Sequence, residues 1–179
     1  TSNVVVQAED DSDIVAVAGS LDVAVSPSSA AATVGGVVAN TQIGGTKNKQ
    51  KVQASLDDAD ITMVAGADLS VKALNKANIA NFALGGGVAV STSIVGVSAE
   101  GSVSVVDINS DCLASMNNVN VSGSNNDVEL LAKSNGDIVS SADAVEVAYG
   151  SAAGVAGGAA VSVLNSAADT RVEATNTEN

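Results

Sequence analysis

Short runs of alternating apolar and polar residues recur along the whole chain. Segments such as VVVQA, ITMVA, LSVKA and VEV place an aliphatic side chain at every second position and are separated by Asn, Asp, Gly and Ser. A period of two in Val-rich segments predicts β-strands, and the separating residues favour turns. No period of 3.6 residues is sustained anywhere, so the pattern predicts an all-β protein with little helix.

One pattern occurs three times. Residues 4–14 (VVVQAEDDSDI), 69–79 (LSVKALNKANI) and 128–138 (VELLAKSNGDI) each have Ala at the fifth position, Asp or Asn at the tenth and Ile at the eleventh. Similar segments follow each copy at comparable distances. The sequence therefore predicts a single repeat region over residues 1–179, with repeats at 1–65, 66–124 and a truncated 125–179.

A unit of this length could be a propeller blade, a segment of a β-sandwich or several coils of a parallel β-helix. Blades usually carry periodic aromatic residues and sandwich cores need large side chains. Here the only aromatic residues are Phe82 and Tyr149. Small aliphatic residues suit stacked coils, so we predict a parallel β-helix of about nine coils, each of about 20 residues.

Asn and Asp recur at equivalent places in the repeats and are predicted to stack at the corners of the coils. There they would satisfy backbone groups of the turns. The predicted corner residues form two sets, Asp13 with Asn78 and Asp137, and Asn40 with Asn109 and Asn165.

The charge balance excludes several kinds of partner. The chain has 20 acidic and 7 basic residues and a net charge of −13. Nucleic acid needs a broad basic surface, and the one basic cluster (KNKQK, residues 47–51) is predicted to be a solvated turn. Uncharged runs at residues 23–46, 77–99 and 147–168 are as long as membrane spans. They are dense in Gly, Ser and Thr and lack aromatic belts, so we predict buried coils and no membrane insertion.

Few residues offer chemistry. The chain has no His, and Arg171 and Cys112 are the only residues of their types. We therefore predict no enzymatic activity and no cofactor, with calcium as the one ligand to consider. The alternating oxygen ligands of Asp107, Asn109 and Asp111 indicate a weak calcium site that lacks the Gly and the distal Glu of an EF-hand. The acidic segments EDDSD and DDAD fit solvated turns better than chelating loops.

The combined repeat pattern resembles that of a known class of proteins. An Ala-x-x-x-x-Asp/Asn-Ile strand, a run such as GSAAGVAGGAAVSVLNSA and an RVEA-type strand are similar to repeats of large bacterial exoproteins. These are the filamentous-haemagglutinin and leukotoxin type, exported by two-partner secretion or as autotransporter passengers. The resemblance implies a right-handed parallel β-helix that is secreted or displayed on the bacterial surface.

Two functions stay open at this point. The chain is either a shaft segment of an adhesin or toxin-like exoprotein, or a subunit that stacks end to end into an extracellular filament. In both cases the end coils would contact flanking repeats or other copies, because unpaired strand edges need a partner. A host or neighbouring-cell surface is the further partner that the first function implies.

Overall fold

The computed structural model describes residues 2–175, which contain ten β-strands and no helix. Thr1 and residues 176–179, the ends of the predicted repeat region, lie outside the described residues. All strand pairs are parallel. The strands are β1 Val4–Asp10, β2 Asp13–Ser26, β3 Ala31–Ile43, β4 Gln50–Thr62, β5 Leu69–Asn75, β6 Asn78–Ser91, β7 Val95–Ser122, β8 Val128–Ser134, β9 Ile138–Gly150 and β10 Ala153–Thr175.

The strands form three parallel sheets through which the chain winds repeatedly. Sheet A has the order β1-β5-β8, sheet B has β2-β6-β9, and in sheet C the long β7 pairs with β10 on one side and with β3 and β4 on the other. Each passage through sheets A, B and C is one coil. This arrangement confirms the prediction of an all-β parallel solenoid.

The number of coils differs from the prediction. Val4 pairs with Leu69, and Leu69 pairs with Val128, so one coil takes about 60 residues. The described residues therefore make three coils, where the sequence predicted about nine. Three coils about 4.8 Å apart give a wide, shallow molecule instead of a rod of about 40 Å. Turns between short strands do not reveal whether consecutive strands stack on each other or lie side by side within one coil.

A loop at residues 44–49 accounts for the greater length of the first coil. Before the loop, Ala31 pairs with Gly96, a separation of 65 residues. After it, Asp57 pairs with Asn117, a separation of 60 residues. The loop thus inserts five residues opposite the continuous β7. It contains residues 47–49 of the predicted basic turn, with Lys47 exposed, whereas residues 50 and 51 of that segment belong to β4.

Each coil is flattened into two layers, with sheet C facing sheets A and B. We call sheet B, β3 and the facing first halves of β7 and β10 the arm, and sheet A with β4 and the second halves of β7 and β10 the base. In the arm, β2 packs on β3, β6 on β7 and β9 on β10, whereas in the base β1 and β5 pack on β4. The chain reverses at the tip of the arm in turns at residues 27–30, 92–94 and 151–152.

The apolar core lies in the base and at its junction with the arm. The base encloses Leu69, Val71, Val52, Cys112 and Met116. At the junction, the three Ile residues that close the repeated pattern, Ile14, Ile79 and Ile138, are register partners and pack with Ile43, Val106 and Ile108. Stacked aliphatic side chains at equivalent positions give each coil the same cross-section.

The arm has an unusual polarity. Along β2 the inward positions are mainly Ala and Ser, whereas the outward positions include Val15, Val17, Leu21 and Val23, each more than 60% exposed. The uncharged runs of the sequence lie around the tip of the arm. The prediction that they are buried is wrong, because alternate residues of β2 and β6 face outward and residues 153–168 of β10 are exposed throughout. No helix in the described part of the chain is long and apolar enough to cross a membrane.

Candidate functional site

Three carboxylates lie inside the arm, between sheets B and C. Asp22 is in β2, Glu100 in β7 and Glu146 in β9, and each occupies an inward position of its strand. Asp22 and Glu146 are both in register with Gly87 in sheet B. Each of the three coils therefore contributes one carboxylate to the same level of the arm.

A glycine faces each carboxylate across the narrow interior. In sheet C, Glu100 is in register with Gly35 of the first coil and Gly158 of the third. A Cβ atom at Gly35 would collide with the carboxylates of Asp22 and Glu100, and one at Gly158 would collide with that of Glu146. The absence of these side chains provides the space in which the carboxylates lie.

Glu100 is the most enclosed of the three. It is 4% exposed, and no group of the described residues donates a hydrogen bond to either of its carboxylate oxygens. The hydroxyl of Ser102, two residues along the strand, is also buried without a partner. Because burial removes the hydration of a charge without replacing it, this carboxylate is costly to ionise.

The charged form of Glu100 is disfavoured further by its neighbours. Burial raises the pKa of the Glu100 carboxyl above its ordinary value, the neighbouring Asp22 carboxylate raises it more, and the charge of Glu146 adds to the effect. Protonation of Glu100 relieves both the cost of burying its charge and the repulsion from these two carboxylates. The arm interior therefore disfavours the charged form of Glu100.

Hydroxyl and amide groups form the rest of the arm interior. Thr33 Oγ1 donates to Ser98 Oγ at 3.0 Å. Asn81 is fully buried, and its side-chain nitrogen donates to the carbonyls of Ala39 at 3.1 Å and Val105 at 2.8 Å. The Asn81 bonds connect sheet B with sheet C, whereas the Thr33–Ser98 bond joins neighbouring strands within sheet C. Polar contacts thus hold the two layers of the arm together, as apolar packing does in the base.

The predicted calcium ligands lie on the outward side of β7, where each already has a contact. The Asp107 carboxylate accepts a hydrogen bond from Asn165 at 3.2 Å, and Asn109 donates to the Gly45 carbonyl at 2.9 Å. Lys49 Nζ contacts Asp111 and Asp169 at 3.0 Å each. Calcium at Asp111 would compete with this lysine, and no group of three metal-binding side chains occurs among residues 2–175. The weak calcium site stays a prediction.

One predicted set of corner residues is stacked. Asp13, Asn78 and Asp137 precede or begin the equivalent strands of sheet B. Asn78 Nδ2 donates to Asp13 Oδ1 at 2.8 Å, and the Asp137 backbone N–H donates to Asn78 Oδ1 at 3.0 Å. This polar ladder lies next to the Ile ladder at the corner between sheets A and B.

The second set is not stacked, which corrects the sequence alignment. Asn40 pairs with Val105, whereas Asn165 pairs with Asp107, which in turn pairs with Gln42. Asn109 pairs with Ala167. Asn40 and Asn165 also lie within strands β3 and β10, not at corners. The similar short motifs around these Asn residues occupy different positions in the three coils, so their resemblance does not reflect the register.

The acidic segments form local contacts, and the prediction that both are turns is wrong for DDAD, because residues 57–60 lie within β4. Glu9 pairs with Lys76 of the next coil, and this contact lowers the pKa of the Glu9 carboxyl. Asp57 and Asp58 accept hydrogen bonds from Asn117 and Asn118, each at 2.7 Å. Polar side chains of neighbouring coils thus pair along the edges of the solenoid.

The chain was compared with protein-family models, curated proteins and solved structures, and none of them matches it. The structure itself is an all-β solenoid of three parallel sheets, as in a parallel β-helix. Functional interpretation therefore depends on the coils, the arm and its carboxylates.

Sequence reasoning missed the three carboxylates of the arm, although the sequence contains a signal for them. Asp22, Glu100 and Glu146 directly border the three uncharged runs at residues 23–46, 77–99 and 147–168. Each lies in an alternating strand that is rich in Ala, Val and Ser around it. That position could have marked them as inward-facing, but only the fold places the glycines opposite them.

Proposed function

We propose that the chain is a shaft segment of a secreted or surface-exposed bacterial adhesin or toxin-like exoprotein. The observation that supports this function best is the continuity of the three sheets, in which every strand of one coil is in register with a strand of the next. Force along the stack is then resisted by rows of backbone hydrogen bonds instead of a few side-chain contacts. The repeat resemblance agrees with this role.

A second candidate function is a subunit of an extracellular filament. The strands of the first coil (β1–β4) and of the third coil (β8–β10) each have a neighbour on one side only within the described residues. Their open edges can pair with further strands. Flanking coils of one polypeptide would favour the shaft, and separate copies would favour the filament.

The two functions can be separated by microscopy of the purified chain and of a tandem chain carrying two copies in one polypeptide. For a shaft, single copies stay short, and the tandem chain lengthens the stack by three coils, about 14 Å. For a filament, single copies form fibres of uniform width in negative stain and sediment as large species. A tandem chain whose two copies fold side by side without lengthening would contradict both.

The cellular location can be tested with antibodies raised against the purified chain. We expect them to label intact cells of the source bacterium or protein in its culture medium. A strain lacking the gene is the control for specificity. Labelling confined to permeabilised cells would rule out a shaft or filament outside the cell.

A further inference from the structure

The outer surface of sheet B is a continuous apolar face on a highly charged molecule. We define the apolar face as the outward-facing residues of β2, β6 and β9 between positions 15–25, 80–90 and 139–149. Its most exposed large side chains are Leu21 at 71%, Val15 at 70%, Val25 at 69% and Val145 at 67%. Asp143 is the one charged residue on this face among the described strands. Monomeric proteins rarely leave such a surface open to water.

We propose that the apolar face binds the same face of a second copy of this chain. The inference concerns lateral pairing and does not depend on either proposed function. Sheets pack face to face about 10 Å apart when their facing side chains are apolar. A face of mainly Val and Leu, on which Ser141 and Asp143 are the polar exceptions, also satisfies the self-complementarity that a two-fold interface requires.

The size of the face is close to what a specific pair requires. Each strand crosses the face over 11 residues, at positions 15–25, 80–90 and 139–149. At about 3.3 Å per residue and about 4.8 Å between strands, the face has a footprint of about 520 Å² per copy, or about 1,050 Å² for two. Biological interfaces with good complementarity begin at about 1,000 Å² in total. The area is thus at the lower end of the range and predicts a modest-affinity contact.

Charge favours a second copy as the occupant. The chain has a net charge of −13, so two copies repel each other wherever their acidic edges meet. The apolar face carries a single charged residue, Asp143, among the described strands, so contact there brings few of those charges together. Hydrocarbon is the less favourable occupant, because β2 and β9 are the edge strands of sheet B and their unpaired backbone groups would lose water without gaining partners.

The opposite side of the arm provides a matched comparison. The outward positions of sheet C there include Val34 and Val38, but they also include Gly36, Gly101 and Gly157. Fewer large side chains project from it, so it offers less apolar area. Val38 is 64% exposed, close to the 61% of Val23 on the apolar face.

Tyr149 makes the proposal testable at a known position. It lies on the apolar face, is 60% exposed, and is the only Tyr of a chain that contains no Trp. Its intrinsic fluorescence therefore reports on this face alone. Pairing should protect Tyr149 from quenching by acrylamide as the protein concentration rises.

The experiment combines sedimentation equilibrium with acrylamide quenching over a concentration series. We expect the mass to rise from 17.3 kDa to twice that value and the quenching constant of Tyr149 to fall at least two-fold. Leu21→Glu should keep the protein monomeric and Tyr149 accessible, while Val38→Glu should behave like the wild type. Both side chains point to solvent, and circular dichroism of each variant verifies that it is folded.

Several outcomes would overturn the proposal. A wild-type protein that stays monomeric at 100 μM would do so, as would a dimer in which Tyr149 remains fully quenched. Loss of pairing in Val38→Glu but not in Leu21→Glu would place the contact on the other side of the arm. Flotation of monomeric protein with phosphatidylcholine vesicles, abolished by Leu21→Glu, would identify lipid as the occupant.

Discussion

At the scale of single residues, the arm depends on the pairing of a carboxylate with a glycine. In the first coil Asp22 is matched by Gly35, and in the third coil Glu146 is matched by Gly158. The second coil exchanges the sides, with Glu100 in sheet C and Gly87 in sheet B. The exchange avoids placing carboxylates directly above one another in one sheet, which lowers their repulsion.

Replacement of Gly35 tests whether the space opposite the carboxylates is required. In Gly35→Ala the new methyl group would meet both Asp22 and Glu100. Overpacking of this kind costs about 1–3 kcal/mol, so we expect a corresponding loss in the free energy of unfolding in urea. Gly157→Ala is the matched control, since its Cβ would meet nothing within 4 Å in the described structure. Equal stability of the two variants would show that the arm interior can accommodate the added methyl group.

The raised pKa of Glu100 predicts how stability changes with pH. Because the folded protein holds this proton more tightly than the unfolded chain, the stabilisation is fully present below the ordinary carboxyl pKa. It is lost as the pH rises through the raised pKa. The melting temperature of the wild type should therefore fall with increasing pH across this window.

Glu100→Gln removes the titrating group and keeps its shape, so its melting temperature should vary less with pH in the same window. The measurement is thermal unfolding by circular dichroism in a series of buffers at constant ionic strength. Asp60→Asn, at an exposed carboxylate of β4, is the control and should retain the wild-type slope. An unchanged slope in Glu100→Gln would assign the pH dependence to other carboxylates.

At the scale of elements, the two halves of each coil are held together differently. The base has an aliphatic core around Leu69 and Val71, whereas the arm relies on buried hydroxyl and amide groups such as Asn81. The Ile ladder lies where the two halves meet. Its side chains pack sheet B against sheet C at the end of the arm next to the base, where the interior is apolar.

Truncation of the ladder tests its contribution to the stack. Ile79 is 3% exposed and lies between Ile14 and Ile138. Ile79→Ala should lower the free energy of unfolding by about 2–5 kcal/mol, because it leaves a cavity between coils. Val38→Ala, on the outward side of β3 and away from the apolar face, should change it by less than about 0.5 kcal/mol. Urea denaturation measures both, and similar losses would contradict the position of the core.

At the scale of the whole molecule, strong negative charge and a broad apolar face act in opposition. The 13 excess negative charges keep copies apart at long range, whereas the face favours contact at short range. Edge contacts such as Lys49 with Asp111 and Asp169 neutralise only part of the acidic surface. The balance between the two effects depends on ionic strength.

Self-association should therefore increase with salt. Screening shortens the range of repulsion from about 30 Å at 0.01 M to about 10 Å at 0.1 M salt, while apolar contact is maintained. We expect the associated fraction in sedimentation velocity to rise between 0.01 and 0.5 M NaCl. Leu21→Glu at the same salt concentrations is the control. A fall in association with salt would indicate that ion pairs hold the copies together.

The sequence by itself determined the strands, their parallel stacking and the equivalence of the three Ile residues. Alternation with a period of two specifies strands locally, and repetition at a nearly constant spacing implies that equivalent residues stack. Ile14, Ile79 and Ile138 show this directly, since they are both the repeated residues and the register partners.

Only the tertiary structure decided the size of the coil, the inward face of each strand and the pairing of carboxylates with glycines. Alternation defines two faces but not which one is buried, and in β2 the Ala and Ser face is the inner one. Strands such as β2 and β6 are neighbours although they are 65 residues apart, and no local signal chooses that partner over a nearer one. Asp22 and Gly35 face each other because the chain reverses at the tip of the arm, which is a property of the whole coil.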